Sequence, residues 1–244
     1  MDIKGSTEAQ PLAGWRMGAR RSLALVAVLL VAGCNGELPE PQPEDEPSAE
    51  QAVRPTAPFS LPGDLLLEEG LLRFQPCGLA DAQPVDDETG SEARTLIENL
   101  GYGSDRVRSA VVLDGGRLLE VRHATPEGAR CEDLLPDAEW EARGNEPFWV
   151  LRVTGGEALW ITPDDQEGIT FEGGEWRQAD PGLFRYEARL DGVDGVEYLT
   201  LILEEEPCHD TMAGARFPFV AQVEKGGSVY AGCALEGRGL VPGL

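Results

Sequence analysis

The stretch Phe184-Arg185-Tyr186-Glu187-Ala188-Arg189-Leu190 (184–190, FRYEARL) puts an apolar side chain at every second position and a charge at each position between. Successive side chains of a β-strand point to opposite faces, so this run has one face to bury and one to wet. The same alternation returns in Phe217, Phe219, Ala221 and Val223, and again in Val229, Ala231, Cys233 and Leu235. Gly155-Gly156, Gly173-Gly174 and Gly226-Gly227 punctuate these runs as turns. Seven or eight short antiparallel strands, with no room for crossover helices, predict a small barrel or sandwich over residues 137–244. A barrel would remove the exposed strand edges that a meander leaves.

Working back from that region, residues 59–136 read as a second β-rich module. Asp64–Leu67 and Leu71–Gln75 flank Glu68-Glu69-Gly70, and Ser109–Leu113 and Arg117–Arg122 flank Asp114-Gly115-Gly116; both patterns are those of hairpins. Between them, Glu92–Leu100 (EARTLIENL) carries Leu96, Ile97 and Leu100 at helical spacing and stops near Gly101. The expected fold is therefore mainly β: two small antiparallel modules, one short helix in the first, and a signal helix at the N-terminus.

That signal helix lies in residues 17–34, MGARRSLALVAVLLVAGC. Arg20 and Arg21 make a positive start and Leu23 to Val31 an apolar run, well short of the ~20 residues that span a bilayer. Val31-Ala32-Gly33-Cys34 has the form of a lipobox, with small residues that admit a peptidase and a thiol that takes the lipid. Residues 1–33 read as a signal peptide, with Met17 favoured as the initiator because residues 1–16 are unusually polar for a signal start. With several acyl chains at ~0.8 kcal/mol per buried methylene, Cys34 would anchor the protein stably. Asn35 follows the cysteine, where an aspartate would by resemblance favour the inner membrane; the expected address is the outer membrane, facing the periplasm. From Cys34 to Pro58 the chain is rich in proline and glutamate and nearly devoid of large apolar residues, the composition of a disordered acidic tether.

The formal charge is −24. Removing residues 1–33 takes away four basic residues (Lys4, Arg16, Arg20, Arg21) and two acidic ones (Asp2, Glu8), leaving −26. Such a surface repels phosphate backbones, so nucleic acid is not an expected partner, whereas a basic protein would be steered toward it. Four cysteines remain beside Cys34: Cys77, Cys131, Cys208 and Cys233. In an exported chain an even number implies two bridges; three pairings are open, and the neighbours Cys77–Cys131 and Cys208–Cys233 are favoured because each pair falls within one module. By loop-closure arithmetic these bridges contribute at most roughly 4 and 3.5 kcal/mol.

Catalytic signatures are wanting. The two histidines, His123 and His209, have no metal-ligand spacing, and no G-x-S-x-G elbow, H-E-x-x-H helix, phosphate loop or dinucleotide fingerprint occurs. Cys208-His209-Asp210 does not make a nucleophile, because neighbouring side chains point apart and Cys208 is expected to be oxidised. Asp191-Gly192-Val193-Asp194-Gly195 lacks the ligand series of a calcium loop and reads as a hairpin. No metal, no cofactor and no enzymatic activity is expected.

Gly144-Asn145-Glu146-Pro147-Phe148-Trp149 resembles the G-(N/T)-E-P-F-W motif of an uncharacterised family of bacterial envelope proteins and lipoproteins. That family tends to carry C-x-D-x-M, a proline and G-C-A downstream, here Cys208, Asp210, Met212, Pro218 and Gly232-Cys233-Ala234. The resemblance covers about 100 residues; it departs at His209 and Thr211, where relatives often have serine or glycine. Phe74-Gln75-Pro76-Cys77-Gly78 resembles a segment often placed before that domain. It is distantly similar to small envelope barrels that answer copper stress, without their C-x-x-C. The resemblance implies a lipoprotein of the envelope, found beside modules that inhibit c-type lysozyme.

The residues admit two readings of the motif. In one, Pro147 starts a strand on which Trp149, Leu151 and Val153 face a core while Phe148 points away. In the other, Asn145, Glu146 and Trp149 form a binding patch. Asp210 reads as a loop-capping side chain inside the Cys208–Cys233 loop. The expected function is a non-enzymatic binding or structural module for an envelope protein or glycan, with inhibition of a basic wall-degrading enzyme as the specific variant. A hydrolase is the rival, and would gather Asp210, Glu146 or His209 in a deep polar pocket.

Overall fold

The computed structural model describes residues 54–56, 58–126, 129–193 and 195–238. The signal segment, Cys34, most of the tether and Asp194 lie outside the described residues.

Strand β1 (Leu61–Glu68) turns through Glu69 and Gly70, at φ 52° and 79°, into β2 (Leu71–Pro76). Positive φ at both turn residues matches the twist of the paired strands. Two short strands follow, β3 (Gln83–Pro84) and β4 (Asp86–Asp87), and then α1 (Glu92–Leu100). The helix buries Ala93, Leu96, Ile97 and Leu100, the stripe its spacing predicts, and ends at Gly101, whose N–H closes on the Ile97 carbonyl. β5 (Arg106–Asp114) and β6 (Arg117–Thr125) form the second expected hairpin around Gly115-Gly116. Helix and sheet enclose a core of Leu65, Leu72, Phe74, Val107, Val111, Leu118 and Val121.

After a single 3-10 turn, Cys131–Asp133, the chain builds the barrel from β7 (Trp140–Asn145), β8 (Phe148–Thr154), β9 (Glu157–Thr162), β10 (Asp165–Asp180), β11 (Leu183–Gly192) and β12 (Gly195–Glu204). The chain then leaves the barrel for β13 (Cys208–His209) and β14 (Arg216–Phe217), and returns as β15 (Phe219–Lys225) and β16 (Ser228–Glu236). β16 pairs with β7, closing an eight-stranded antiparallel barrel. The alternating run 184–190 is β11, with Phe184, Tyr186 and Ala188 inside. Side chains fill the interior: Trp149 stacks on Trp160 at 5.3 Å, Trp140 meets Phe219 edge-on at 5.1 Å, and Trp176 leans on Tyr186 at 5.0 Å. Among the described residues no helix is long and apolar enough to cross a membrane.

Three local readings change. Gly173-Gly174 is not a turn: it lies within β10, where the register against β11 shifts and the strand bends. A Cβ on Gly174 would overlap the Tyr186 side chain, so the pair is glycine because the strand bends over a buried tyrosine. On β16, Cys233 and Leu235 do not face the barrel interior. Ala234 points inward, while Cys233 and Leu235 pack on the outside with Ala215 and Phe217. This end of the strand is buried on both faces, so its alternation does not mark the inside. Finally, Pro218 divides Phe217 from Phe219: Phe219, Ala221 and Val223 line the barrel, whereas Phe217 belongs to the first sheet.

β13 and β14 therefore carry the C-terminal part of the chain into the N-terminal sheet, whose strand order is β13-β14-β6-β5-β1-β2-β3. Arg122 on β6 forks onto Glu236 at the end of β16, at 2.9 and 3.2 Å, with both side chains 5% exposed. Arg216 bonds to Glu92 of α1 and to the Arg122 carbonyl. Both bridges form as favoured, Cys77–Cys131 in the first sheet's region and Cys208–Cys233 fastening β13 to β16.

His123 is buried in this junction, its ring 4.6 Å from that of Phe217. Its Nδ1 lies 2.6 Å from the Arg216 carbonyl, so Nδ1 carries the proton and donates it. Burial, reinforced by the charges of Arg143 and Arg216 and opposed by that bond, pushes the His123 pKa down to about 4 from 6.5. The unfolded chain protonates near 6.5, so the stability held by neutral His123 is complete above that pH and is lost as pH falls toward 4. The loss amounts to about 3 kcal/mol. Urea midpoints measured from neutral pH down to 4 should fall accordingly, and His123→Gln should flatten the fall. A variant with an unaltered pH slope would clear His123 as the cause.

Candidate functional site

β7 and β8 meet at a hairpin whose turn is Glu146-Pro147, joined by a cis peptide bond. The proline sits in a turn between two strands rather than at a free strand start. The alternation beyond it is as the sequence implies: Trp149, Leu151 and Val153 are buried in the barrel and Phe148 is 48% exposed. Trp149 is withdrawn from the surface altogether, leaving Asn145, Glu146 and Phe148 as the outward face of the motif.

The motif glycines follow from the position of that tryptophan. A Cβ on Gly144 would strike the Trp149 indole and the Ala231 carbonyl; a Cβ on Gly232 would strike the Arg143 carbonyl and approach Trp149 Cζ2 at 2.9 Å. Gly144, Trp149 and Gly232 are thus one packing unit across the seam that closes the barrel. This accounts for the glycine and tryptophan of the first motif and the glycine of G-C-A without any ligand.

The β13–β14 hairpin lies against the outside of that seam. Its tip is shaped by Asp210, whose Oδ1 accepts the N–H groups of Met212 and Ala213 at 2.7 and 2.8 Å. Its Oδ2 accepts the amide of Asn145 at 3.0 Å, so motif segments 65 residues apart are bonded to one another. Partial burial pushes the Asp210 carboxyl up. The two backbone N–H groups, the Asn145 amide and nearby Arg143 together outweigh this and hold it below the usual carboxylate range. The capping role read from the sequence is present, and the link to Asn145 is added to it.

These segments enclose an open cleft of about 370 Å³, lined by Arg143 to Glu146, Cys208 to Thr211 and Ala231 to Cys233, with the Cys208–Cys233 bridge in its wall. Glu146 and His209 are exposed at the cleft, while Met212 stands 78% exposed beyond it. Arg143 is the member that sequence reasoning missed. Its guanidinium lies over Phe217 at 5.2 Å and bonds Glu141 at 2.6 Å, while its Nε is buried without a partner. It also lines a second cleft, of about 440 Å³, beside Glu141 and Arg152. The only sequence signal for it was its place directly before the motif.

The cleft gathers Glu146, His209 and Asp210, as the hydrolase reading requires. Their chemistry is less suited to it. Both Asp210 oxygens accept hydrogen bonds, Cys208 is in a disulfide, and no hydrogen bond among the described residues joins His209 to a nucleophile. His123 lies apart, buried between the sheets, and no group of three His, Cys, Asp or Glu side chains among the described residues could hold a metal ion. No protein-family model matches the chain, and neither the curated proteins nor the solved structures compared with it yield a match.

Proposed function

We propose that the protein is a lipid-anchored lipoprotein of the cell envelope whose β body is a non-enzymatic binding module acting through the cleft at Asn145, Glu146 and His209. The observation that carries the binding reading is the bond between Asn145 and Asp210: two distant motif segments meet at one surface beyond what the core requires. Trp149 and the glycines are explained by packing, but the exposed Glu146 and Phe148 are not. The anchor rests on Arg20-Arg21, the apolar run and Val31-Ala32-Gly33-Cys34. The two disulfides agree with an oxidising compartment. The proposed address is the outer membrane, on its periplasmic side.

Two measurements test this. Cys34→Ala should move the protein from the membrane to the soluble fraction; unchanged detergent partitioning would end the anchor reading. The detergent-solubilised full chain should retain a protein or glycan from envelope extract, and Glu146→Lys should lose it while keeping the wild-type unfolding midpoint. Retention unaffected by Glu146→Lys would remove the cleft from the binding role. The net charge favours one specific form of the proposal, inhibition of a basic wall-degrading enzyme. Equal lysis rates by lysozyme with and without the protein, at low and at physiological salt, would exclude it.

A further inference from the structure

Three large apolar side chains stand in solvent on segments that meet at or beside the Asp210 tip: Phe148 at 48% exposure, Tyr102 at 76% and Met212 at 78%. They come from three parts of the chain that the tip draws together. Phe148 pairs across its hairpin with Asn145, and Asn145 bonds to Asp210. Asp210 in turn caps the N–H of Met212. Gly214, two residues on, packs toward Leu100 of α1, where a Cβ would meet Leu100 Cδ2 at 3.4 Å, and Tyr102 follows two residues after Leu100.

Tyr102 has a further peculiarity. It holds φ 48°, a left-handed conformation that bulky residues rarely adopt. Its loop is held in that shape by Ser104, whose hydroxyl donates to Gly101 and whose N–H bonds the same carbonyl. Neither packing nor a buried contact accounts for an aromatic ring kept outward at a strained position. Strain of this kind concentrates where a surface is used.

Within the three segments the charges have one sign, and the flanking Arg143 and Arg106 are each paired with a carboxylate, Glu141 and Asp64. Residues 98–105, 144–149 and 208–214 contain Glu98, Asp105, Glu146 and Asp210 and no lysine or arginine. An anionic bilayer would be repelled by such a rim, and an acidic protein likewise. We propose that Tyr102, Phe148 and Met212 form the apolar centre, and these carboxylates the rim, of a docking surface for a basic protein that presents apolar side chains within its positive patch. The proposal rests on the binding-module reading and names the chemistry of the partner. Apolar side chains supply most of the binding energy at such interfaces, and complementary charge supplies the speed and the selection.

The test uses the full chain in detergent and three short amphipathic helical peptides at physiological salt. One combines leucine with lysine, the second has serine for leucine, and the third has glutamate for lysine. The leucine–lysine peptide should bind at least tenfold more tightly than either of the others. Combining Tyr102→Ser, Phe148→Ser and Met212→Ser should erase that preference without moving the unfolding midpoint. Replacing the exposed Val193 and Val229 by serine instead should leave it intact. Wild-type affinity in the triple variant would overturn the proposal. It would also fall if the triple substitution, made in Cys34→Ala protein, lowered partition into phosphatidylcholine vesicles but left peptide binding unchanged, since the surface would then serve a bilayer. Failure here leaves the broader reading to be judged by Glu146→Lys, which alters the cleft and none of these three side chains.

Discussion

Arg122→Ala is expected to destabilise the protein by roughly 3–5 kcal/mol, because it strands the Glu236 carboxylate in a place water does not reach. The Arg122 guanidinium holds Glu236 through two hydrogen bonds and Glu120 through a third, and lies 5.3 Å over the Phe219 ring. Among the described residues Glu236 has one other partner, the Ser60 hydroxyl at 3.3 Å. Removing the cation leaves a buried negative charge with one weak donor, and a loss of this size is a large share of the ~5–15 kcal/mol that domains possess. Removing both charges is a different matter: Arg122→Met with Glu236→Leu takes away the desolvation cost together with the attraction. The double variant should recover most of the loss. Urea unfolding of the wild type, the single and the double variant measures this. A double variant as unstable as the single would show that the cost arises from lost packing around Arg122 rather than from the stranded charge.

Gly232→Ala should be comparably severe, at roughly 3 kcal/mol or more, although it adds one methyl group. The added carbon would meet the Arg143 carbonyl on the neighbouring strand, and a backbone carbonyl cannot swing aside as a side chain can. Relief requires β7 and β16 to part, and those two strands close the barrel. Gly103→Ala gives the contrast: it also faces strain, at φ 85°, but has open space around it, and should cost only about 1 kcal/mol. Thermal unfolding ranks the two, and near-ultraviolet circular dichroism reports whether Trp149 keeps its environment. Similar losses for both glycines would show that the seam tolerates the carbon.

Much of this architecture could be read before any coordinates. The alternation of 184–190, the helical spacing in 92–100, the turn residues at 69–70 and 115–116 and both disulfide pairings are local or nearly local signals, and each emerges where expected. Asp210 was legible as a cap because aspartate bonds backbone two and three residues ahead. What was hidden has a common physical character. β14 is two residues long, too short for any period, and it is recruited by an edge remote in sequence. Cys233 and Leu235 alternate properly but are buried by the β13–β14 hairpin on the outside of the barrel, and no pattern says which of two buried faces is the inner one. The bond from Asn145 to Asp210, and with it the cleft, depends on the same hairpin. Arg143 was invisible for an electrostatic reason, since charges in alternate positions are commonplace in so acidic a chain.

The pairing of Arg216 with Ala124, 92 positions apart, also bears on the order in which the molecule can be completed. Ribosomes deliver chains from the amino end, so the hairpin of β5 and β6 emerges while its future neighbour is still unsynthesised. Beyond Leu118, where the pairing with β4 stops, one margin of that ribbon must wait, with free amides and carbonyls, until residue 216 has been made. Waiting margins of this sort are where nascent chains adhere to one another. A polypeptide terminated after residue 136 would keep that margin permanently, and its fate should be self-association, not a smaller working domain.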